Sequence, residues 1–297
     1  MNIISYNVRG LGRGVKWAGI RRMIKMENVD MLCLQETKKE LIDKTMCQSL
    51  WGDGEVSWEM QQATNTAGGI LCLWCERTFK LQNKIISHGF ILLSGEWIKE
   101  ALPINIVTIY SPCDIQNKRA LWEQIKQLKI TQNGDIWCIL GDFNNIRDPA
   151  ERFGTCQRES GFNSIKEFND WIDELEVVEA PWVGRRFTWF RPNGASQSKL
   201  DRFLMSLKWL DRWPATTQIT LPSNFSDHCP VMLRFSSIDC GPKPFRILDC
   251  CLSDASLNSV MLLSVDGLWP HPNLSFVSLI ELKSPKIHHS PPRCCFF

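Results

Sequence analysis

Eight polar side chains of this sequence lie at or near the ends of short apolar runs, and their types are those that hydrolyse phosphate esters. They are Asn7, Glu36, Tyr110, Asp142, Asn144, Asp201, Asp227 and His228. A hard divalent ion such as Mg²⁺ takes oxygen ligands, which Glu36, Asp227 and the amide of Asn7 can provide. Such an ion stabilises charge on phosphoryl oxygens and on the leaving oxygen. The set therefore predicts metal-assisted cleavage of a phosphodiester.

The other members of the set have the chemistry for proton transfer and charge stabilisation. Asp142 is the candidate for orienting and deprotonating the attacking water. Asn144, Tyr110 and His228 can donate hydrogen bonds to the non-bridging oxygens, where negative charge grows in the transition state. A charged His228 needs a partner that fixes its tautomer, and Asp201 is the candidate, because a neighbouring carboxylate raises the pKa of a histidine.

Each of these residues also has a structural explanation. Asp142 lies in the motif GDFN (141–144), where an aspartate can simply form a turn. Glu36 could supply negative charge to the N-terminus of a following helix. Gly141 is expected to let the backbone of a substrate approach closely. The functional interpretation depends on the whole set, whose members all lie where predicted strands end.

Short strands and amphipathic helices must position these side chains. Apolar runs predict strands at 2–6, 31–34, 104–110, 136–140, 187–190, 200–204, 216–221 and 231–235. Helical periodicity predicts helices over 15–27, 117–130 and around 165–175. Segments 68–74 and 90–98 are expected to pair as antiparallel strands. Strands followed by helices, twice over, predict two sheets packed face to face with helices outside them.

Charge limits where nucleic acid could bind. The net charge is only +2, so contact with phosphates must come from a local patch. The candidate patch in the second half of the chain consists of Arg185, Arg186, Trp189, Arg191, Lys199 and Arg202. Cations would contact phosphates and the indole would stack on a base or sugar. A solvated charged face is the alternative interpretation.

Composition also bears on cellular location. The chain begins on a predicted strand rather than on a signal peptide, and its thirteen cysteines are interpreted as reduced thiols. No apolar run approaches the roughly 20 residues of a membrane span. We expect an intracellular monomer that does not bind membranes, with a nuclear location consistent with a DNA substrate.

The last part of the chain differs from the rest. Residues 237–297 lose periodicity and are rich in Ser, Pro, His and Cys, which predicts a poorly ordered tail after a domain over 1–236. The spacing of His and Cys there fits no standard zinc finger, so structural zinc is not expected.

Seven motifs occur in an order that resembles a known family. They are SYNVRGLG (5–12), LQET (34–37), IYSP (109–112), GDFN (141–144), RRFTW (185–189), SKLDRFL (198–204) and SDHCP (226–230). Together they resemble the endonuclease/exonuclease/phosphatase superfamily, most closely the apurinic-like endonuclease domain of plant LINE-type non-LTR retrotransposons. The resemblance covers about residues 1–236.

This resemblance implies an α/β fold: a DNase I-like, four-layer α/β/β/α sandwich of two packed, mainly antiparallel sheets. It also implies Mg²⁺ or Mn²⁺ as cofactor, DNA as partner and nicking of DNA as the activity. By position it implies the following roles: Glu36 and Asn7 at the metal, Asp142 as base, Asn144 and Tyr110 at the phosphate, and Asp201 paired with His228.

Two departures from the family pattern leave alternatives open. Arg9 stands where some members carry an acidic residue, which puts a second metal ligand there in doubt. A full element would continue into a reverse transcriptase, but no YxDD-like motif follows, so the tail is interpreted as a truncated or misread continuation. The alternatives are hydrolysis of an abasic site or another phosphoester, or a decayed, non-enzymatic remnant that at most binds nucleic acid.

Overall fold

The computed structural model describes residues 1–52, 54–154, 161–223 and 225–235, without the side chains of 161 and 162. The described residues belong to one compact unit. The predicted boundary at 236 remains a prediction, and the predicted tail over 237–297 lies outside the described residues.

In this part of the chain the strands are β1 (Asn2–Asn7), β2 (Met31–Gln35), β3 (Val56–Gln61), β4 (Ile70–Cys75), β5 (Phe79–Ser87), β6 (Phe90–Trp97), β7 (Leu102–Tyr110), β8 (Trp137–Asp142), β9 (Arg152–Gly154), β10 (Val177–Glu179), β11 (Trp182–Val183), β12 (Trp189–Phe190), β13 (Ser196–Ser198), β14 (Asp201–Ser206), β15 (Thr216–Thr220) and β16 (Val231–Phe235). The α-helices are α1 (Val15–Glu27), α2 (Lys44–Trp51), α3 (Ile115–Thr131), α4 (Gly161–Glu174) and α5 (Leu207–Arg212).

The first sheet has seven strands in the order β11-β15-β16-β1-β2-β4-β3. Strands β1 and β2 run parallel, with Asn7 opposite Gln35. Because parallel strands end at the same edge of a sheet, Asn7 and the residue after Gln35, which is Glu36, arrive at one place.

The second sheet has six strands in the order β10-β14-β8-β7-β6-β5. Strand β8 is parallel to β7 and antiparallel to β14. In these registers Asp142 lies between Tyr110 on one side and Asp201 on the other. A separate three-stranded sheet, β12-β13-β9, lies in the second half of the chain.

The two large sheets pack face to face. Buried side chains of the first sheet, such as Ile3 and Cys33, share one apolar cluster with Ile106 and Cys138 of the second. Helices α1 and α2 cover the other face of the first sheet, and α3 and α4 cover the other face of the second. The predicted four-layer α/β/β/α sandwich is therefore confirmed, with sheets that mix parallel and antiparallel pairs.

The predicted pairing of segments 68–74 and 90–98 is wrong. Strand β4 lies between β2 and β3 in the first sheet, whereas β6 lies between β5 and β7 in the second. Both strands are apolar enough to fit either sheet, and their true neighbours β3 and β5 carry polar side chains that the apolar pattern did not mark as strands. Among the described helices, none has the length and hydropathy needed to cross a membrane.

Candidate active site

The predicted residues meet at the edge where the carboxyl ends of β1, β2, β7 and β8 come together. The amide Nδ2 of Asn7, from the first sheet, donates to Oδ2 of Asp142, from the second, at 2.9 Å. Beside this hydrogen bond opens a cavity of about 480 Å³. Its lining includes Glu36, Tyr110, Asn144 and His228. Glu36 and His228, which are 192 positions apart in the chain, thus share one pocket.

Asp142 is the last residue of β8, and its side chain is buried. Its Oδ1 accepts from the backbone N–H of Asn144 at 2.9 Å, in addition to the bond from Asn7. Burial and the nearby carboxylate of Asp201 raise the pKa of Asp142 to about 6, against the lowering effect of His228 and of the hydrogen bonds. A carboxylate with this pKa takes up a proton more readily than an ordinary aspartate at neutral pH.

His228 is held between two carboxylates. Its Nδ1 lies 2.9 Å from Oδ2 of Asp201, and its Nε2 lies 3.8 Å from Oδ2 of Asp142. Burial alone would lower the pKa of His228, but Asp201 and Asp142 outweigh it and raise that pKa to about 9. The imidazole is therefore charged at neutral pH, with Nε2–H on the side of Asp142.

The loop that carries His228 is held by hydrogen bonds to the end of β1 and to Thr188. The hydroxyl of Ser226 donates to the carbonyl of Asn7 at 2.8 Å, and the N–H of Cys229 donates to the carbonyl of Thr188 at 2.7 Å. The buried hydroxyl of Thr188 in turn accepts from the N–H groups of Leu200 and Asp201. Thr188 therefore positions both members of the His–Asp pair. It lies inside the RRFTW motif, which is the only signal in the sequence that marked it.

Glu36 presents its carboxylate to the cavity from a strained backbone. Its φ of 54° lies in the left-handed region, which a non-glycine residue rarely adopts. The loop is held there because the N–H groups of Thr37 and Lys38 donate to the carbonyls of Gly69 and Gly68. The ammonium of Lys38 lies 3.0 Å from the Glu36 carboxylate. A cation thus already binds at this carboxylate.

These contacts test whether a divalent ion fits. Glu36 is a carboxylate that faces the cavity, and Asn7 Oδ1 is an oxygen that accepts a single described bond, from the N–H of Arg9 at 3.0 Å. Oxygen donors of this kind suit Mg²⁺ or Mn²⁺. The partly exposed Lys38 side chain can move away from Glu36 when an ion binds.

A second group of metal-binding residue types lies deeper. Ligand atoms of Asp142, Asp201 and His228 all lie within 4.8 Å of one another. Nδ1 of His228 is already hydrogen-bonded to Asp201, however, and Oδ2 of Asp142 already accepts from Asn7, so these atoms have partners within the protein. The group is therefore better suited to proton transfer, and the corner formed by Glu36 and Asn7 is better suited to the ion.

Asp227, the third predicted metal ligand, already has partners. Its Oδ2 contacts the guanidinium of Arg9 and accepts from Nε1 of Trp189 at 2.9 Å. Its Oδ1 is buried and has no hydrogen-bond partner among the described residues. The structure therefore places Asp227 behind Arg9 and Trp189, which line the cavity, and pairs it with a cation from the protein.

Asn144 and Tyr110 line the same cavity. Asn144 has a left-handed φ of 48°, and its Nδ2 donates to the carbonyl of Ser111 at 2.7 Å. Burial and the neighbouring Glu36 raise the pKa of Tyr110, so its phenol stays a neutral donor. Lys118 is buried, and sequence reasoning missed it. Its ammonium donates to the carbonyl of Asn144 at 2.6 Å and so stabilises the loop after β8.

The prediction that Lys199 and Arg202 contact nucleic acid is wrong. Arg202 is 0% exposed and binds Glu151 at 2.9 Å and Glu179 at 3.0 Å. Lys199 is also buried, with its ammonium 2.6 Å from Glu179. Although burial opposes ionisation, Arg202 and Lys199 lower the pKa of Glu179 to about 2. These charges form an internal ion-pair network, which charge clustering in the sequence could not distinguish from a surface patch.

The remaining patch residues lie at or near the surface. Arg185 and Arg186 are exposed, and Trp189 lines the cavity. The wall of the cavity further includes Arg191 of the patch, together with Arg152 and Phe153, which sequence reasoning did not select. Phe153 is 64% exposed, an unusual environment for a phenyl ring. The cavity wall thus combines cations with aromatic rings.

Gly141 has a different role from the one predicted. A Cβ at this position would lie 2.0 Å from the carbonyl oxygen of Ile109, and φ is +138°. The close neighbour is therefore strand β7, not a substrate. The absence of a side chain lets β7 and β8 pair in the register that places Asp142 beside Tyr110.

Comparison with solved structures finds the same fold. An AP endonuclease from Leishmania major superposes with a TM-score of 0.61 at 17% identity, over 78% of this chain and 86% of that one. An AP endonuclease from Archaeoglobus fulgidus gives 0.60 at 15% identity, over 79% and 99%. The endonuclease domain of TRAS1, a telomere-specific non-LTR retrotransposon, gives 0.57 at 13% identity, over 79% and 97%.

At these identities the superpositions establish a DNase I-like α/β fold. A comparison with curated proteins finds no match. The family model for Endonuclease/Exonuclease/phosphatase proteins, however, matches residues 4–228, from the first strand to the histidine of the pocket. This chain therefore belongs to the Endonuclease/Exonuclease/phosphatase family.

Proposed function

We propose that this protein is a divalent-metal-dependent endonuclease that nicks DNA and derives from a LINE-type retrotransposon. The observation that carries the proposal is the row Asp201–His228–Asp142 at the end of a cavity that also contains Glu36. Family membership supports phosphoester hydrolysis. Similarity to a retrotransposon endonuclease domain supports the origin.

In this proposal Glu36 and Asn7 hold a Mg²⁺ or Mn²⁺ ion. When bound, the ion stabilises negative charge on the phosphate and the leaving oxygen. Asp142 accepts the proton of the attacking water, a role that suits a pKa of about 6. The side-chain amide of Asn7 and the backbone N–H of Asn144 each donate to one oxygen of Asp142. The Asp142 carboxylate is therefore oriented before substrate binds.

Charge on the phosphate is stabilised by donors of the chain itself. His228 offers Nε2–H with a full positive charge, because Asp201 fixes the other nitrogen. Tyr110 remains a neutral phenol, and Asn144 is held by Ser111 and Lys118. Such preorganised donors act where negative charge develops.

DNA is the proposed substrate because of the cavity wall. Trp189 and the exposed Phe153 can stack on bases, and Arg152 and Arg191 beside them can contact phosphates. Arg185 and Arg186 extend the positive charge outside the cavity. The proposal further holds that the protein acts inside the cell as a monomer, on DNA in the nucleus.

The proposal is tested with supercoiled plasmid incubated with the purified chain, with Mg²⁺ or with EDTA. We expect the wild-type protein to nick the plasmid with Mg²⁺ and not with EDTA. We expect Asp142→Asn and His228→Ala to nick under neither condition. Asp170→Asn, which changes an exposed acid on α4 that pairs only with Lys166 among the described residues, is the control and should nick normally. Circular dichroism of all variants excludes unfolding as the cause. Normal nicking by either pocket variant would remove the corresponding role.

A second candidate keeps the chemistry and changes the substrate. The two AP endonucleases of the same fold favour an abasic site in DNA. Parallel assays with an abasic duplex, an RNA end, a phosphomonoester and a phosphoinositide would rank these substrates. Salt-sensitive DNA binding without turnover of any of them would instead indicate a non-enzymatic remnant.

A further inference from the structure

Arg9 is a charged residue of the pocket to which neither the resemblance nor the proposed function gives a role. It follows β1 by two positions and has a left-handed φ of 46°. Its backbone N–H donates to Oδ1 of Asn7 at 3.0 Å, which stabilises the turn. The backbone thus turns at this point so that the side chain lines the cavity beside Glu36.

The guanidinium of Arg9 contacts Oδ2 of Asp227. The two partners differ in environment: the Asp227 side chain is 7% exposed and that of Arg9 is 49% exposed. A carboxylate that is this well buried is costly unless a positive charge compensates it. Arg9 provides that charge without a bound ion.

Much of the guanidinium is still free to bind a substrate. An arginine has five N–H donors in a rigid fork that matches phosphate geometry, and the described contacts of this side chain use only Nη1. Its exposed part belongs to the lining that also includes Asp142 and His228. A phosphodiester bound in the cavity would therefore lie next to it.

We propose that Arg9 takes the place of a second metal ion: it neutralises Asp227, limits the pocket to one divalent ion at Glu36, and donates to a non-bridging oxygen of the substrate. This inference rests on the proposed phosphodiester hydrolysis. Its physical basis is that Asp227 Oδ2 is already shared between Arg9 and Trp189. A divalent ion there would face the repulsion of the guanidinium that contacts Asp227.

The first test counts ions. Titration of Mn²⁺ into the metal-free, full-length protein, followed by calorimetry without substrate, should give one site in the wild type and in Arg9→Lys. Arg9→Asp replaces the cation by a second carboxylate beside Asp227 and should give two sites. The double variant Arg9→Asp/Asp227→Asn should return to one. Two ions in the wild type, or one in Arg9→Asp, would overturn the inference.

The second test measures the phosphate contact without metal. In EDTA, Arg9→Ala should weaken binding of a duplex oligonucleotide roughly ten-fold at low salt and reduce the slope of log K against log salt by about one. The matched control is Arg234→Ala, which breaks another half-exposed arginine–carboxylate pair, with Glu27, and should leave the slope unchanged. An unchanged slope in Arg9→Ala would contradict the substrate contact.

The two proposals fail in different ways. A wild-type protein that nicks plasmid but binds two Mn²⁺ ions keeps the proposed function and loses the inference about Arg9. A wild-type protein that binds no Mn²⁺ and nicks nothing loses both.

Discussion

Nδ1 of His228 lies 2.9 Å from Oδ2 of Asp201, and Nε2 of the same ring lies 3.8 Å from Oδ2 of Asp142. One imidazole thus connects two buried carboxylates that belong to neighbouring strands, β14 and β8. Each carboxylate raises the pKa of the histidine, and the histidine lowers the pKa of Asp142. A change at one of the three residues therefore alters the protonation of the others, which makes the arrangement testable by pH.

The pH dependence of nicking should be bell-shaped. Asp142 works as a base only when ionised, so kcat/KM should fall as pH decreases through about 6. His228 donates only when charged, so kcat/KM should fall again as pH rises through about 9. Asp201→Asn removes the largest charge that raises the pKa of His228, and should move the alkaline limb towards the ordinary value of 6.5. The measurement is kcat/KM at constant Mg²⁺ across the two limbs; an alkaline limb that stays in place in Asp201→Asn would contradict the pairing.

Asp142→Asn should abolish nicking and stabilise the fold at alkaline pH. The pKa of Asp142 is raised from 3.8 to about 6, so its contribution to folding is complete below 3.8 and is lost as pH rises through about 6. The ionised side chain then costs roughly 3 kcal/mol, a figure that already includes its attraction to His228. We expect the free energy of unfolding at about pH 8 to rise by up to about 3 kcal/mol in urea denaturation. A lower stability of the variant at that pH would contradict this account.

Arg202→Met should destabilise the fold without changing the electrostatics of DNA binding. Loss of the guanidinium leaves Glu151 and Glu179 buried with fewer positive charges, at a cost of about 3 to 5 kcal/mol in the free energy of unfolding. The comparison is Arg186→Ala, a change of an exposed residue, which should leave stability nearly unchanged and reduce the salt slope of DNA binding by about one. Unchanged stability together with a reduced salt slope in Arg202→Met would contradict the burial of Arg202 and support a contact with DNA.

Gly141→Ala should damage both stability and activity. The new Cβ would meet the carbonyl of Ile109 at 2.0 Å, which forces β8 away from β7 and moves Asp142. We expect a loss of roughly 3 kcal/mol or more in the free energy of unfolding. Gly184→Ala is the matched control, because φ there is also positive, at +91°, but nothing lies within 4 Å. Gly184→Ala should lose only about 1 kcal/mol in the free energy of unfolding. Equal losses in the two variants would show that backbone strain, and not the contact with the Ile109 carbonyl, causes the loss in Gly141→Ala.

The local pattern of apolar and polar residues was sufficient to predict several strands of this protein and its layered architecture. Alternation and apolar runs predicted β1, β2, β7, β8 and β16 and, with the helices between them, the layered sandwich. The polar residues at the ends of these strands could be selected because parallel neighbours must end at one edge. Asn7 and Asp142 do meet there, across the two sheets.

Side-chain environment could not be predicted in the same way. Lys199 and Arg202 have the composition of a surface patch, yet both are buried and pair with Glu151 and Glu179, and Arg202 lies on β14, an inner strand of its sheet. The polar strands β3 and β5 were missed, so β4 was assigned the wrong partner. The burial of a side chain depends on which distant parts of the chain pack against it. The residues next to it in the sequence do not specify those parts.

By itself the sequence determined which groups stand at the ends of the strands, because strand and helix periodicity is a local property. Only the tertiary structure decided how those groups are charged and paired. Arg9 reaches Asp227 across 218 positions of the chain, and His228 becomes a lasting cation only because Asp201 and Asp142 lie beside it and outweigh the effect of burial on its pKa. Both effects arise from long-range contacts, which exist only in the folded chain.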